Sequence, residues 1–165
     1  MSLLNKSDKI FVAGSTGMVG LSICKLLQKN KYSISNKNLL VTNRNELDLT
    51  DTNKVNLWFR KNKPNIVICA AAKVGGIFAN NEKPVDFLLE NLKIQNNLIE
   101  SSFKYGVKRF LFLGSSCIYP KASKQPIKEE YLLNDYLENT NQWYAIAKIS
   151  GLKLCEAFRK QYNFD

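Results

Sequence analysis

Apolar positions along this chain come in two alternating patterns: short continuous runs and longer stretches with apolar residues every three or four positions. The first pattern marks buried strands and the second amphipathic helices. Residues 9–13 (Lys-Ile-Phe-Val-Ala) read as a strand, and residues 21–29 as the helix that follows. Residues 38–43 give a second strand and residues 52–61 a short helix, with Asp51 placed to cap its N-terminus. Pro64 introduces a third strand over 66–71. A long helix over 84–105 is closed by Gly106, and a strand over 109–113 comes next. Residues 121–141 form a loop with one weak helical patch, and residues 142–162 form the last helix. Strand and helix alternate throughout, which predicts an α/β fold with a parallel sheet in one domain over 1–165.

The first strand runs into Gly14-Ser15-Thr16-Gly17-Met18-Val19-Gly20. Strand, glycine turn and helix in that order form a phosphate-binding element. Glycines let the backbone turn tightly and approach a pyrophosphate, which rests on the positive end of the helix. A second cluster of chemistry follows the strand at 109–113, as Gly114-Ser115-Ser116-Cys117-Ile118-Tyr119-Pro120. In an open parallel sheet, ligands sit beyond the carboxyl ends of the strands, where these side chains fall. The third cluster is Tyr144-Ala-Ile-Ala-Lys148. On a helix the phenol and the ammonium share one face, and a nearby cation is expected to lower the tyrosine pKa toward a usable acid/base range.

Composition narrows the chemistry. The chain has 165 residues and no histidine, so Ser-His and Cys-His catalysis within it are excluded. Cys24, Cys69, Cys117 and Cys155 form no CxxC pair, so neither a metal site nor a disulfide framework is expected. The net charge of +10 comes from lysines scattered singly rather than from a basic face interleaved with aromatics, which argues against nucleic-acid binding. No apolar stretch is long enough to span a membrane, and residues 1–9 lack an apolar signal core. A cytoplasmic location is the expectation. Where NAD binders place an acidic residue after the second strand, this chain has Thr42-Asn43-Arg44, which favours NADP(H). Asp48 is the candidate for the adenine edge.

Taken together, Gly14-x-x-Gly17-x-x-Gly20, Ser115 and Tyr144-x-x-x-Lys148 resemble the extended short-chain dehydrogenase/reductase family. The segments over 70–81 (Ala-Ala-Ala-Lys-Val-Gly-Gly-Ile-Phe-Ala-Asn-Asn), 114–121 and 144–156 are similar to those of its epimerase-reductases acting on GDP-4-keto-6-deoxy-D-mannose. The resemblance implies a Rossmann-like doubly wound sheet, NADP(H) as cofactor and a GDP-sugar as substrate. It assigns Cys117 the role of base at C3 and C5, and Tyr144 that of the acid that protonates the C4 alkoxide. Lys148 would lower the Tyr144 pKa and bind the nicotinamide ribose, while Ser115 would hold the C4 oxygen. Ser116 and Lys73 join Ser115 and Cys117 as substrate-binding candidates. The cofactor set is Gly14, Thr16, Gly17, Met18, Val19, Gly20, Arg44, Asp48, Leu49, Ala71 and Lys148.

Members of that family run well past this length, and their second half brings a catalytic histidine, further strands and a substrate subdomain. The chain is therefore expected to be a truncated cofactor-binding portion, inactive alone, with an open edge at strand 109–113. Some members carry an arginine in the glycine loop where Thr16 stands, which leaves Arg44 to meet a 2′-phosphate. The family also implies a homodimer through helices 84–105 and 142–162. Two alternatives stay open: a non-catalytic nucleotide-binding module, or another nucleotide-sugar epimerase or dehydratase.

Overall fold

Four apolar segments too short to close a stable helix find their hydrogen bonds in one another, as parallel strands. The computed structural model describes residues 4–165. In chain order its elements are β1 (Ile10–Ala13), α1 (Met18–Lys29), β2 (Leu39–Val41), α2 (Thr52–Asn62) and β3 (Ile66–Cys69). There follow α3 (Ile77–Glu82), α4 (Pro84–Lys104), β4 (Arg109–Phe112) and α5 (Gln142–Tyr162). The sheet order is β2-β1-β3-β4, all parallel, with Ile10 opposite both Leu39 and Ile66, and Ile66 opposite Arg109.

Period-two alternation along β1 sends its side chains to two different cores. Phe11 and Ala13 join Val55 and Phe59 of α2 and Leu98 of α4 on one face. Ile10 and Val12 join Cys24 and Leu27 of α1 on the other. Both faces are covered, as a doubly wound parallel sheet requires. The chain lays β2 to one side of β1 and then returns to lay β3 on the other. This order leaves a crevice beyond the carboxyl ends of β1 and β3, where the strand order reverses.

The elements read from sequence are all present, with strands shorter by one to three residues and α1 starting three residues earlier, at Met18. Asp51 caps α2 through the Lys54 N–H at 3.0 Å. Gly106 takes φ +71° just past α4, and the Val107 and Gly106 N–H groups close back on Ser102 O and Phe103 O. The short helix α3 was not read from sequence, because its six residues follow two glycines and carry too little periodicity. The weak helical patch in residues 121–141 is a single 3-10 turn at Glu129–Tyr131. The edge expected to be open at β4 is partly occupied: Phe110 N–H donates to Asp165 O at 2.8 Å, and Arg109 pairs with the Asp165 carboxylate at 2.7 Å. On the α1 side of the sheet β4 is uncovered, and Leu111 is 49% exposed.

Cys69 ends β3 with no exposure, and burial pushes its thiol up to about 11 from an ordinary 9.0. The folded state thus holds this proton where the unfolded chain has released it, so stability is full below pH 9.0 and declines between there and about 11. The wild type's stability advantage over Cys69→Ala should therefore shrink by about 2–3 kcal/mol across that interval. Urea unfolding of both proteins from pH 8 to 11 measures it, and a constant difference would refute the assignment.

Candidate functional site

The glycine turn is shaped by close approach. Gly14 has φ +85°, and a Cβ there would lie 2.6 Å from Ala71 N, so the loop packs directly on the segment leaving β3. Ser15, nearly buried, donates its hydroxyl to Thr42 O at 3.1 Å and ties the loop to the end of β2. Helix α1 begins at N-cap Gly17 with no side-chain cap and no acidic residue in its first turn. Its leading N–H groups and its positive end are left for an external anion.

These elements enclose a cavity of about 650 Å³. Gly14, Thr16, Gly17, Met18, Val19 and Gly20 form its floor, and Arg44, Asp48, Leu49 and Ala71 line its far side. Asp48 is held below the ordinary carboxyl range by the Thr50 N–H and hydroxyl, both bonded to its Oδ1. Every cofactor residue read from sequence lines this cavity except Lys148. Lys73, read as substrate-binding, is here too rather than with Ser115.

Three residues of α4 that the sequence reading missed organise this wall and the helix packing behind it. Glu90 sits between two cations, 3.5 Å from Arg44 and 3.3 Å from Lys73. Asn91, 2% exposed, brackets the Lys73 backbone. It accepts from Lys73 N–H at 2.8 Å and donates to Lys73 O at 3.0 Å. Gln95 donates to Ala147 O at 2.8 Å and so docks α5 on α4. The signal was available: Asn91 and Gln95 interrupt the apolar stripe of α4 at helical spacing with Phe87 and Leu98. Buried polar side chains on such a stripe have specific partners.

A second cavity, about 280 Å³, adjoins the first at Val74. Ser115, Cys117 and Tyr144 line it together with Gly75, Asn80 and Asn141. Ser115 Oγ and Cys117 Sγ are 3.1 Å apart, held by the 3-10 turn at Ser116–Ile118. Ser116 starts that turn exposed and lines neither cavity.

Lys148 departs from one expectation, the lowering of the Tyr144 pKa. It is 5% exposed, lines neither cavity, and donates its ammonium to Leu113 O at 3.0 Å. Its Nζ lies 5.8 Å from the centre of the Tyr144 ring. The Tyr144 pKa is not lowered. Burial raises it, Cys117 adds to the rise, and only the Ser115 hydroxyl acts the other way. Burial in turn holds Lys148 below its ordinary 10.5. The i to i+4 spacing places both groups on one face, but the carbonyl leaving β4 takes the ammonium.

A doubly wound sheet with a glycine cradle at its switch point, flanked by Ser, Tyr and Lys, defines a nucleotide-dependent class. The chain belongs to the NAD dependent epimerase/dehydratase family, whose model matches residues 10–165. It is similar to putative GDP-L-fucose synthase 2 of Arabidopsis thaliana, 53% identical over 99% of this chain and 48% of that protein. The GDP-L-fucose synthase of Escherichia coli K12 is 46% identical over 96% of this chain and 48% of its own length. Among solved structures, the GDP-mannoheptose C4 reductase of Campylobacter jejuni with NADP bound superposes with a TM-score of 0.93. That match is 38% identical and covers 98% of this chain and 50% of that one. The chain spans about half the length of the curated relatives it matches.

Proposed function

We propose that this chain is the cofactor-binding and catalytic portion of an enzyme that converts GDP-4-keto-6-deoxy-D-mannose to GDP-L-fucose. The reaction is 3,5-epimerisation followed by NADPH-dependent reduction at C4. One observation carries the reading. The cavity holding Ser115, Cys117 and Tyr144 opens beside the dinucleotide cavity at Val74, so a sugar ketone and a nicotinamide can meet there. Identities of 46–53% to proteins named GDP-L-fucose synthase support the choice of sugar.

The uncapped first turn of α1 suits a pyrophosphate, and Arg44 beside Asp48 suits an adenosine carrying a 2′-phosphate. Bound NADPH would supply the hydride for C4. Ser115 and Tyr144 donate hydrogen bonds to the ketone oxygen, and Tyr144 passes its proton to that oxygen as the ketone becomes an alcohol. Its raised pKa keeps the phenol protonated for that donation. Cys117 serves as the base that takes a proton from C3 or C5, each acidified by the ketone. Return of a proton to the opposite face needs a separate acid, which a chain without histidine does not supply by that route. The chain alone is therefore expected to be inactive. Lys148 fixes the carbonyl of Leu113 and so sets the strand end from which Ser115 projects. A homodimer through α4 and α5 belongs to the same reading, supported by the exposed apolar side chains Leu89, Phe103 and Ile146.

Titration with NADPH and NADH, followed by nicotinamide fluorescence, tests the cofactor assignment. NADPH should bind more tightly, and Arg44→Ala should weaken it about tenfold while leaving NADH nearly unchanged, the effect of one charge-assisted contact. Glu90→Gln, which frees Arg44 from a competing carboxylate, should shift the preference the other way. Equal affinity for both dinucleotides, unmoved by either substitution, would reject it.

A further inference from the structure

Two residues that line the smaller cavity each carry a buried acceptor with no donor. Asn80 of α3 is 5% exposed, and its Nδ2 donates to Gly75 O at 2.9 Å and Gly76 O at 3.1 Å. Those two bonds decide which way the amide faces, and they leave Oδ1 without a partner. Asn141, just before α5, also lines the cavity, and its Oδ1 is likewise buried and unpartnered. It stands at the N-cap position, yet its side chain caps nothing.

A buried amide oxygen left without a donor costs about 1–3 kcal/mol. Two of them in one small cavity, beside the hydroxyls of Ser115 and Tyr144, have no explanation in the hydrogen bonds of the fold itself. They are explained by a ligand that brings its own donors. The cavity wall then asks for two features side by side: an acceptor to meet Ser115 and Tyr144, and hydroxyl groups to meet the asparagines.

We propose that Asn80 and Asn141 accept hydrogen bonds from ring hydroxyls of the sugar, the C3 hydroxyl first, and so select ketones that carry a hydroxyl on the neighbouring carbon. The proposal rests on the GDP-4-keto-sugar reading above. Of the two carbons flanking the C4 ketone, C3 carries a hydroxyl, whereas C5 carries a methyl group and the ring oxygen. Only the C3 side offers a donor, and Asn80 and Asn141 are what it meets.

The test titrates the NADP-loaded chain by calorimetry with two probes, GDP-4-keto-6-deoxy-D-mannose and its analogue lacking the C3 hydroxyl. The wild type should prefer the hydroxylated ketone by about tenfold or more, the worth of one satisfied buried acceptor. Asn141→Ala removes no hydrogen bond of the folded chain, and it should cut that preference. Asn80→Ala should do the same, with thermal unfolding and NADPH affinity reporting whether the Gly75–Gly76 turn survives. A purely structural role would lower both affinities together and leave their ratio alone. Equal binding of the two probes by the wild type would overturn the proposal while the GDP-sugar reading stands, the amides then serving a retained water. Full preference kept by both variants would overturn it as well. Binding of neither probe by the wild type would overturn the proposal, because the two amides then select no ketone in this chain, and it would leave the GDP-sugar reading in place.

Discussion

Gly20→Ala is expected to weaken dinucleotide binding strongly and to destabilise the chain. Gly20 lies in the first turn of α1, folded against the glycine loop, and a Cβ there would overlap Gly14 O and lie 2.7 Å from Gly14 C and 3.0 Å from Ser15 Cα. These are backbone atoms, so no rotamer change relieves the overlap. Helix α1 must move away from β1, and its first turn then leaves the cavity it faces. Overpacking of this kind costs about 1–3 kcal/mol where side chains yield, and backbone contact puts Gly20 at or above the top of that range. Loss of NADPH affinity on the order of a hundredfold should accompany it, equivalent to about 2.7 kcal/mol. Gly76→Ala is the internal control, because a Cβ there meets nothing within 4 Å. Urea unfolding and NADPH titration of both variants check the expectation, and wild-type values for Gly20→Ala would contradict the packing described.

Asn91→Ala should produce the second large effect. Its amide holds three backbone groups: the N–H and C=O of Lys73, and Phe87 O at 2.6 Å. Alanine leaves the Lys73 N–H and carbonyl without these partners in a partly buried segment. At about 1–3 kcal/mol for each unsatisfied group, partly relieved by water, a loss of roughly 3 kcal/mol is expected. The segment concerned, residues 70–74, walls the larger cavity and reaches the smaller one at Val74, so both should loosen. Hydrogen exchange at the Lys73 amide reads this directly. It should accelerate strongly in the variant, and NADPH affinity should fall. Exchange at the wild-type rate, with stability within about 1 kcal/mol of wild type, would show that the bracket is dispensable.

The glycine turn was legible because its requirements are local. A strand, a tight turn and a helix N-terminus occupy adjacent residues, and each glycine has a steric reason visible in that order. Ser115, Cys117 and Tyr144 were legible as types at strand and helix ends, and the structure brings them into one cavity. Lys148 shows where such reading stops. Helical spacing predicts that its ammonium lies on the same face as the Tyr144 phenol. It cannot predict that Leu113 O, 35 residues earlier, competes for it and wins. The tyrosine pKa therefore follows burial rather than the lysine charge.

The sequence by itself determined the type and order of every element but α3, the α/β class with a parallel sheet, and the glycine turn after β1. Each of these depends on periodicity, turn chemistry or capping within a few residues. Only the tertiary structure decided that β3 lies beside β1 and so opens the crevice there. It also decided that Asn91 and Glu90 govern the Lys73 wall, and that Asn80 and Asn141 face the same cavity as Tyr144. These arrangements join groups as far as 64 residues apart, Asn80 and Tyr144. Local pattern carries no distance information over such separations, and packing of the helices on the sheet supplies it.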